Sequence, residues 1–460
     1  MEQKPKSKGW YLALPYLKGT GLTANRPDPI PEKLRGTDHI FADSILLTSP
    51  DWRASVKDWW DALKPGGCLV MWLPDCRFND SPGAKITRED ILAFYADVQT
   101  FTCLEDDMID GHHFSVFQKS DGLDYKPWRK KEKHCLIIRP GAIGDAIMAS
   151  SILPGLASEG FAIDFYAHTN GAEVMRSDPH IERVISTESQ QTLDNELPAF
   201  WKAWGERYDR VINLTNSVEG ALLMQHWRSE FYWPSDQRQR MCKGSYLQST
   251  HDIAGVPGPF KVHFHETDDE RGWAEAKARE LGPFILWCLR GSAVHKWYPW
   301  TPQAVCQVLV KNPTVNIVLS GDEGCKPLEG AILDAAKEYL GEDYMSRFRT
   351  LVGTGSIRRP MALAKLATVV VGPETGVLNA VSLEPVKKIC MLSHSTPSNL
   401  TDDWVNAIAL ESRGCTINKG ACHQLHHSHA NCPQDKLTGA AACAAAVPPV
   451  ELAQAVLSQL

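Results

Sequence analysis

The sequence has no uninterrupted apolar run of the roughly 18–20 residues that a membrane-spanning helix requires, which excludes a helical membrane span. Its first residues, MEQKPKSKGW, carry basic charge without the apolar stretch and cleavage site of a secretory leader, so the expected location is cytoplasmic. Positive charge is not in excess either. Forty-eight Lys and Arg against 55 Asp and Glu leave a net charge of −7, and nothing in this balance draws the chain to nucleic acid or an anionic surface. No Cys-x-x-Cys knuckle is present among the 13 cysteines, nine of which lie singly between residues 68 and 390. In a cytoplasmic chain these are thiols or metal ligands rather than disulfides.

What is there is a long α/β chain. Its 460 residues, 43 % hydrophobic and 22 % charged, suit a globular protein of two or three domains. Residues 1–125 read as one block: a buried strand at 38–47, a helix at 51–63 stopped by KPGG, and a strand at 68–75. A helix over 86–98 with Thr87 as its N-cap and a closing strand at 112–120 complete it. Alternating strands and helices predict a parallel sheet. The polar, basic segment 126–133 reads as a linker, with Arg129 to Lys133 a solvated charge run or a patch for an anionic acceptor.

The rhythm restarts at residue 134 and divides into a unit over 134–265 and another over 266–410, with a cysteine-rich segment and final helix over 411–460. Strands are predicted at 135–140, 162–168, 181–187, 208–214, 283–289, 316–320, 367–373 and 386–392. Four polar or glycine-bearing loops follow such strands, where open α/β sheets bind ligands. The first carries Gly141, Gly144 and Asp145 at a helix start, a weak two-glycine turn with no GKS or GKT behind it. By local rules Asp145 is a helix-capping residue. The second, LRGSAVHKWYPW, carries Ser292 and Lys296; the third, SGDEG, carries Gly321 and Gly324; the fourth is Gly372-Pro-Glu374-Thr375-Gly376-Val-Leu-Asn379, a good pyrophosphate site.

Taken in order, these loops resemble glycosyltransferase family 9, the ADP-heptose heptosyltransferases of GT-B architecture with two Rossmann-like domains. The matching motifs are Arg139-Pro-Gly141-Ala-Ile-Gly144-Asp145, Lys296-Trp-Tyr-Pro with one extra residue before the proline, Gly321 to Gly324, and the Glu374–Asn379 stretch. Glu374 and Asn379 depart from the Asp and His of the family. The resemblance implies an inverting sugar transfer from a nucleotide-diphosphate donor, ADP-heptose-like, with no cofactor or metal required for catalysis. It implies Asp145 as the base and Lys296 as the diphosphate cation. Ser292, Gly321, Glu374, Thr375, Gly376 and Asn379 would be donor-side residues, and Arg139, Gly141 and Gly144 would form the acceptor-side loop. Arg139 would anchor an anionic acceptor or orient the loop. The acceptor hydroxyl stays open among a glycan, a protein and a modified nucleic-acid base, as does the oligomeric state.

Two other functions follow from other features. Departures at Glu374 and Asn379 suit a non-catalytic nucleotide-sugar-binding or assembly protein. LKPGG followed by a strand ending in PD resembles the rear half of a class I S-adenosylmethionine methyltransferase, with Gly19 and Gly21 as the remnant of a cofactor loop in a degenerate domain. Finally, Cys415, Cys422, Cys432 and Cys443 crowd the C-terminal segment. They are similar to the four cysteines of autotransporter-modifying members of the heptosyltransferase family, which implies a structural iron or zinc ion. His423, His426, His427 and His429 are alternative ligands.

Overall fold

The computed structural model describes residues 6–24, 29–43, 51–75, 86–98, 101–120, 124–125, 133–188, 196–215, 217, 224–225, 229–413, 415 and 420–460. Most of the predicted linker and the end of the first predicted strand, 44–47, lie outside the described residues. The chain separates into two compact units, residues 1–136 with 185–211, and residues 137–184 with 212–460. Among the described residues no helix is long and apolar enough to cross a membrane.

The first unit is built on a six-stranded sheet with strands β1 (Gly21–Ala24), β2 (Thr37–Asp43), β3 (Leu63–Pro74), β4 (Phe101–Ile109), β5 (His112–Lys119) and β6 (Asp124–Tyr125), in the order β1-β2-β3-β5-β4-β6. The sheet is mixed, which corrects the all-parallel expectation. β5 runs antiparallel to both β3 and β4. The cause is the Asp110-Gly111 turn, both residues at positive φ (49° and 71°), which folds β4 back on β5 as a hairpin. KPGG ends the helix Trp52–Ala62 but is itself the first part of β3. Thr87 and Asp90 reciprocally cap the helix Arg88–Val98: the Thr87 hydroxyl accepts from the Asp90 N–H, and Asp90 accepts from the Thr87 N–H. Above Gly19 and Gly21 the space a Cβ would need is held by the Asp38 and His39 side chains. Asp38 accepts from both the N–H and hydroxyl of Thr20, so this glycine turn packs against protein.

Residues 134–460 form two further sheets of α/β type, as a GT-B architecture predicts. The smaller sheet comprises β7 (His134–Ile138), β8 (Ala162–His168), β9 (Ile181–Thr187) and β10 (Arg210–Asn213), ordered β10-β7-β8-β9. A short ladder pairs β11 (Met224–Gln225) with a strand of the C-terminal segment described below. The larger sheet has β12 (Phe284–Cys288), β13 (Asn316–Ser320), β14 (Phe348–Thr350), β15 (Val369–Pro373), β16 (Lys387–Met391) and β17 (Ala407–Leu410), all parallel, in the order β14-β13-β12-β15-β16-β17. Its central strands β12, β13 and β15 are nearly continuous apolar runs because helices cover both faces; Ile285, Trp287, Ile317, Leu319, Val369 and Val371 are all buried in one core. The last strand, β18 (Gln424–Leu425), pairs with β11.

Strand order reverses between β12 and β15, which pair through Ile285–Val369 and Trp287–Val371. Loops leaving adjacent parallel strands on either side of such a reversal diverge and leave a crevice between them. Here those loops carry Lys296 and Glu374.

A buried arginine ties this unit together. Arg358, fully buried, opens the helix Arg358–Ala364 and makes a two-pronged pair with Glu270, Nε to Oε1 at 2.7 Å and Nη2 to Oε2 at 2.9 Å. It also donates to the carbonyls of Glu173, Val174 and His265 and to the Ser177 hydroxyl. Glu270 is at once the third residue of the helix Asp268–Leu281 and its capping-box partner, accepting from the Thr267 N–H. Removing one member of a buried pair strands the other. Arg358→Ala is therefore expected to destabilise the protein by about 3–5 kcal/mol, read as a lowered urea midpoint, while Arg359→Ala on the same helix leaves it nearly unchanged.

Candidate active site

The crevice at the switch point is a cavity of about 1130 Å³. Gly144, Asp145, Ser292, Lys296, Gly321, Glu374, Thr375, Gly376 and Asn379, from four separate loops, all line it. Arg139 and Gly141 do not; they stand behind Asp145.

Asp145 is the third residue of the helix Ile143–Ala149. Its Oδ2 accepts from the Ala142 N–H at 3.0 Å, so it caps its own helix from within. The same oxygen lies 3.0 Å from Nη2 of the buried Arg139, and its Oδ1 accepts from the Tyr246 hydroxyl at 2.7 Å. The carboxylate is thus fixed on three sides, yet remains partly open to the cavity. Tyr246 belongs to the helix Tyr246–Ala254, a hundred residues on, and no motif marks it.

Opposite Asp145 stands the short helix Gly376–Ala380, capped by the Thr375 hydroxyl. The two helix starts nearly touch. A Cβ on Gly376 would meet Ile143 at 2.9 Å, and one on Gly144 would overlap the Asn379 amide. Glycine at both positions is what lets the two loops close on each other. The Asn379 Oδ1 is buried with no hydrogen-bond partner among the described residues.

Lys296 sits on a tight loop closed by the Gly291 N–H donating to the Lys296 carbonyl and the Lys296 N–H donating to that of Ala293. The aromatics after it anchor the loop, Tyr298 donating to the Val447 carbonyl and Trp300 to that of Ala445. Its ammonium lies 3.8 Å from Glu374 Oε2.

Glu374 is buried, and the protein occupies both its oxygens. Oε2 accepts from His394 Nδ1 at 2.7 Å and the Ser393 hydroxyl at 3.1 Å, while Oε1 accepts from the Ser395 hydroxyl and the Ser393 N–H. Burial alone would raise this carboxyl; His394, Lys296 and Ser395 together hold it well below the usual range. The hydrogen-bonded chain continues. His295 accepts from the His426 N–H at Nε2, which leaves Nδ1 to donate to the Ser393 hydroxyl at 2.8 Å. Burial, then His394 and Lys296, push the His295 imidazole well below its ordinary value, so it serves as a neutral relay.

That relay ends at a second, small cavity. His295, Ser393 and His426 form part of its wall, together with Cys415, Cys422, Cys432 and Cys443. It measures about 20 Å³, room for one small ion. Burial and the neighbouring sulfurs push the Cys432 thiol up to about 12; burial and Cys415 push Cys443 up to about 11. Four sulfurs around a space of this size suit a soft or borderline cation such as iron or zinc. Of the histidines predicted as alternative ligands, His426 borders this small cavity, whereas His427 and His429 line the large one. His423 is buried at positive φ (54°), its N–H donating to the His394 carbonyl. Arg290, paired with Asp322 at 3.3 Å, also lines the large cavity, a cation the sequence displays only as the second residue of the LRGSA loop.

A cavity at a strand-order switch, walled by glycine loops with Lys296 and Asp145 facing it, lies where open α/β sheets place their ligand sites. No protein-family model matches the sequence, and no curated protein does. Solved structures similar to it include ADP-heptose lipopolysaccharide heptosyltransferase II of E. coli, at 15 % identity and a TM-score of 0.48 over 71 % of this chain and 98 % of that one. A glycosyl transferase family 9 protein from Veillonella parvula gives 15 % identity and a TM-score of 0.47 over 61 % and 86 %. TibC from enterotoxigenic E. coli, described as an iron-containing dodecameric glycosyltransferase, gives 12 % and 0.44 over 72 % and 76 %.

Glu374 yields a stability prediction with a sign. A carboxyl whose folded value is depressed stabilises the fold above its unfolded value, near 4.5, and loses that contribution as pH falls below it. Glu374→Gln is expected to cost about 2 kcal/mol at pH 7, the worth of hydrogen bonds to a charged group. Denaturation from pH 7 down to pH 3 should show the gap to wild type closing below about pH 4.5.

Proposed function

We propose that the protein is a glycosyltransferase, moving a heptose-like sugar from a nucleotide-diphosphate donor to an acceptor hydroxyl with inversion and without a metal in the reaction. The observation that carries this reading is the convergence of four loops, remote in sequence, on one cavity at the strand-order switch.

Transfer needs a base at the acceptor hydroxyl and positive charge at the departing diphosphate. Asp145 is the base: Arg139 and Tyr246 fix its direction, and its open side faces the cavity. Lys296 meets the diphosphate, with its resting position set by Glu374. Glu374 reaches the donor through Lys296 rather than directly, since its own oxygens are occupied. Ser292, exposed on the Lys296 loop, and the backbone around Thr375 and Gly376 donate to phosphate oxygens, Gly321 admits the nucleoside, and Asn379 offers its amide oxygen to the sugar. Gly141 and Gly144 keep the acceptor-side loop close-packed. Cys415, Cys422, Cys432 and Cys443 hold an iron or zinc ion whose contribution is to fold the segment 411–460. The acceptor is a glycan or a protein hydroxyl, and the reaction is cytoplasmic.

Binding without transfer is a second reading, favoured by one observation: both Asp145 oxygens already accept hydrogen bonds from the protein. Two measurements separate the readings. ADP-, UDP- and GDP-sugars are screened for protection against thermal unfolding, with ADP-heptose expected to protect most. Asp145→Ala should then keep that protection while lowering transfer about 10²–10⁴-fold, and Lys296→Ala should lose the protection. Protection by a donor with no transfer to any acceptor would establish the binding protein instead.

A further inference from the structure

Away from the cavity, three side chains of the second unit converge without a role in either reading. Asp178 and His180 lie on the turn after the helix Thr169–Met175, and His265 lies on the extended segment that enters the helix Asp268–Leu281. Their ligand-type atoms all fall within 4.8 Å of one another. His180 Nδ1 is 2.9 Å from Asp178 Oδ1, and His265 Nε2 is 3.6 Å from Asp178 Oδ2. We propose that Asp178, His180 and His265 form a binding site for a divalent transition-metal ion of the zinc class, which ties the turn to the extended segment.

The donor set determines the class. Two imidazoles and one carboxylate select zinc-like ions, whereas magnesium and calcium prefer oxygen alone. Zinc bonds of about 2.0–2.2 Å place tetrahedral donors about 3.3–3.5 Å apart; His180 Nδ1 stands 2.9 Å from one Asp178 oxygen, His265 Nε2 3.6 Å from the other, and all three ligand atoms lie within 4.8 Å, so small side-chain movements reach that spacing. The frame is already rigid. Arg358 holds the His265 carbonyl and the Ser177 hydroxyl, so both supporting segments are pinned before any ion arrives. Asp178 is buried at the back while the His180 and His265 side chains are 31 % and 26 % exposed, leaving an entry path and room for a water as fourth ligand. Neighbouring cations are neutralised: Lys365 pairs with Glu266 at 2.5 Å, and His263 with Glu384 at 2.9 Å. The ion stands outside the large cavity, so its role is that of a brace and is independent of any glycosyl transfer.

The test uses the full chain, stripped with chelator and titrated with Co²⁺ and with Zn²⁺. Cobalt bound to thiolates shows a strong near-ultraviolet charge-transfer band, while cobalt on imidazole and carboxylate does not, which separates this site from the cysteine cavity. His265→Gln and Asp178→Asn are each expected to lose one equivalent of cobalt without loss of that band, and to lose the rise in Tm that Zn²⁺ gives. Cys432→Ser with Cys443→Ser is expected to keep that equivalent. Should Asp178→Asn fail to fold, His265→Gln, on a half-exposed side chain, decides. Uptake by His265→Gln equal to wild type, or loss of all uptake in the cysteine variant, would overturn the proposal.

Discussion

The second unit depends on one constraint: a guanidinium buried out of reach of water must satisfy its donors with protein. Arg358 does so by gathering the carbonyl end of one helix, the capping carboxylate of another and the extended segment between them. A hydrophobic contact would allow these parts to slide. Directed hydrogen bonds to fixed carbonyls do not, and a buried charge costs too much to leave half-paired. The relative placement of the elements that carry the two sides of the large cavity therefore follows from an interaction that touches neither side.

The same logic recurs at smaller scale around Glu374. A buried carboxylate has called in two serines, a histidine and the lysine. Through Ser393 and His295 that set of bonds extends to the wall of the cysteine cavity. Cavity, lysine and cysteine segment are consequently one connected polar structure, although they arise from stretches more than a hundred residues apart.

Much of the fold was legible because its strands are buried on both faces and so appear as unbroken apolar runs. β12 and β13 fall where the sequence places them. Short edge strands such as β14 and β17 have too few residues to show a pattern, and β4 was missed although the Asp110-Gly111 pair signals its hairpin. At the site, glycine loops were visible because backbone approach demands a particular residue. Tyr246, Ser393, His394 and Ser395 were not, since hydrogen-bonding a carboxylate can be done by many residue types from any direction. The role of Glu374 illustrates the limit: its position in a motif was readable, whereas its burial among hydroxyls was not.

The placement of His427 and His429 on the wall of the large cavity has a consequence for synthesis. Residues 134–410 can build both sheets as they leave the ribosome, yet the cavity lacks part of its wall until residue 429 has emerged and the four cysteines have met. The cavity wall is thus completed late and at once. A chain ending before residue 424 would possess both of these sheets and still present an unfinished cavity.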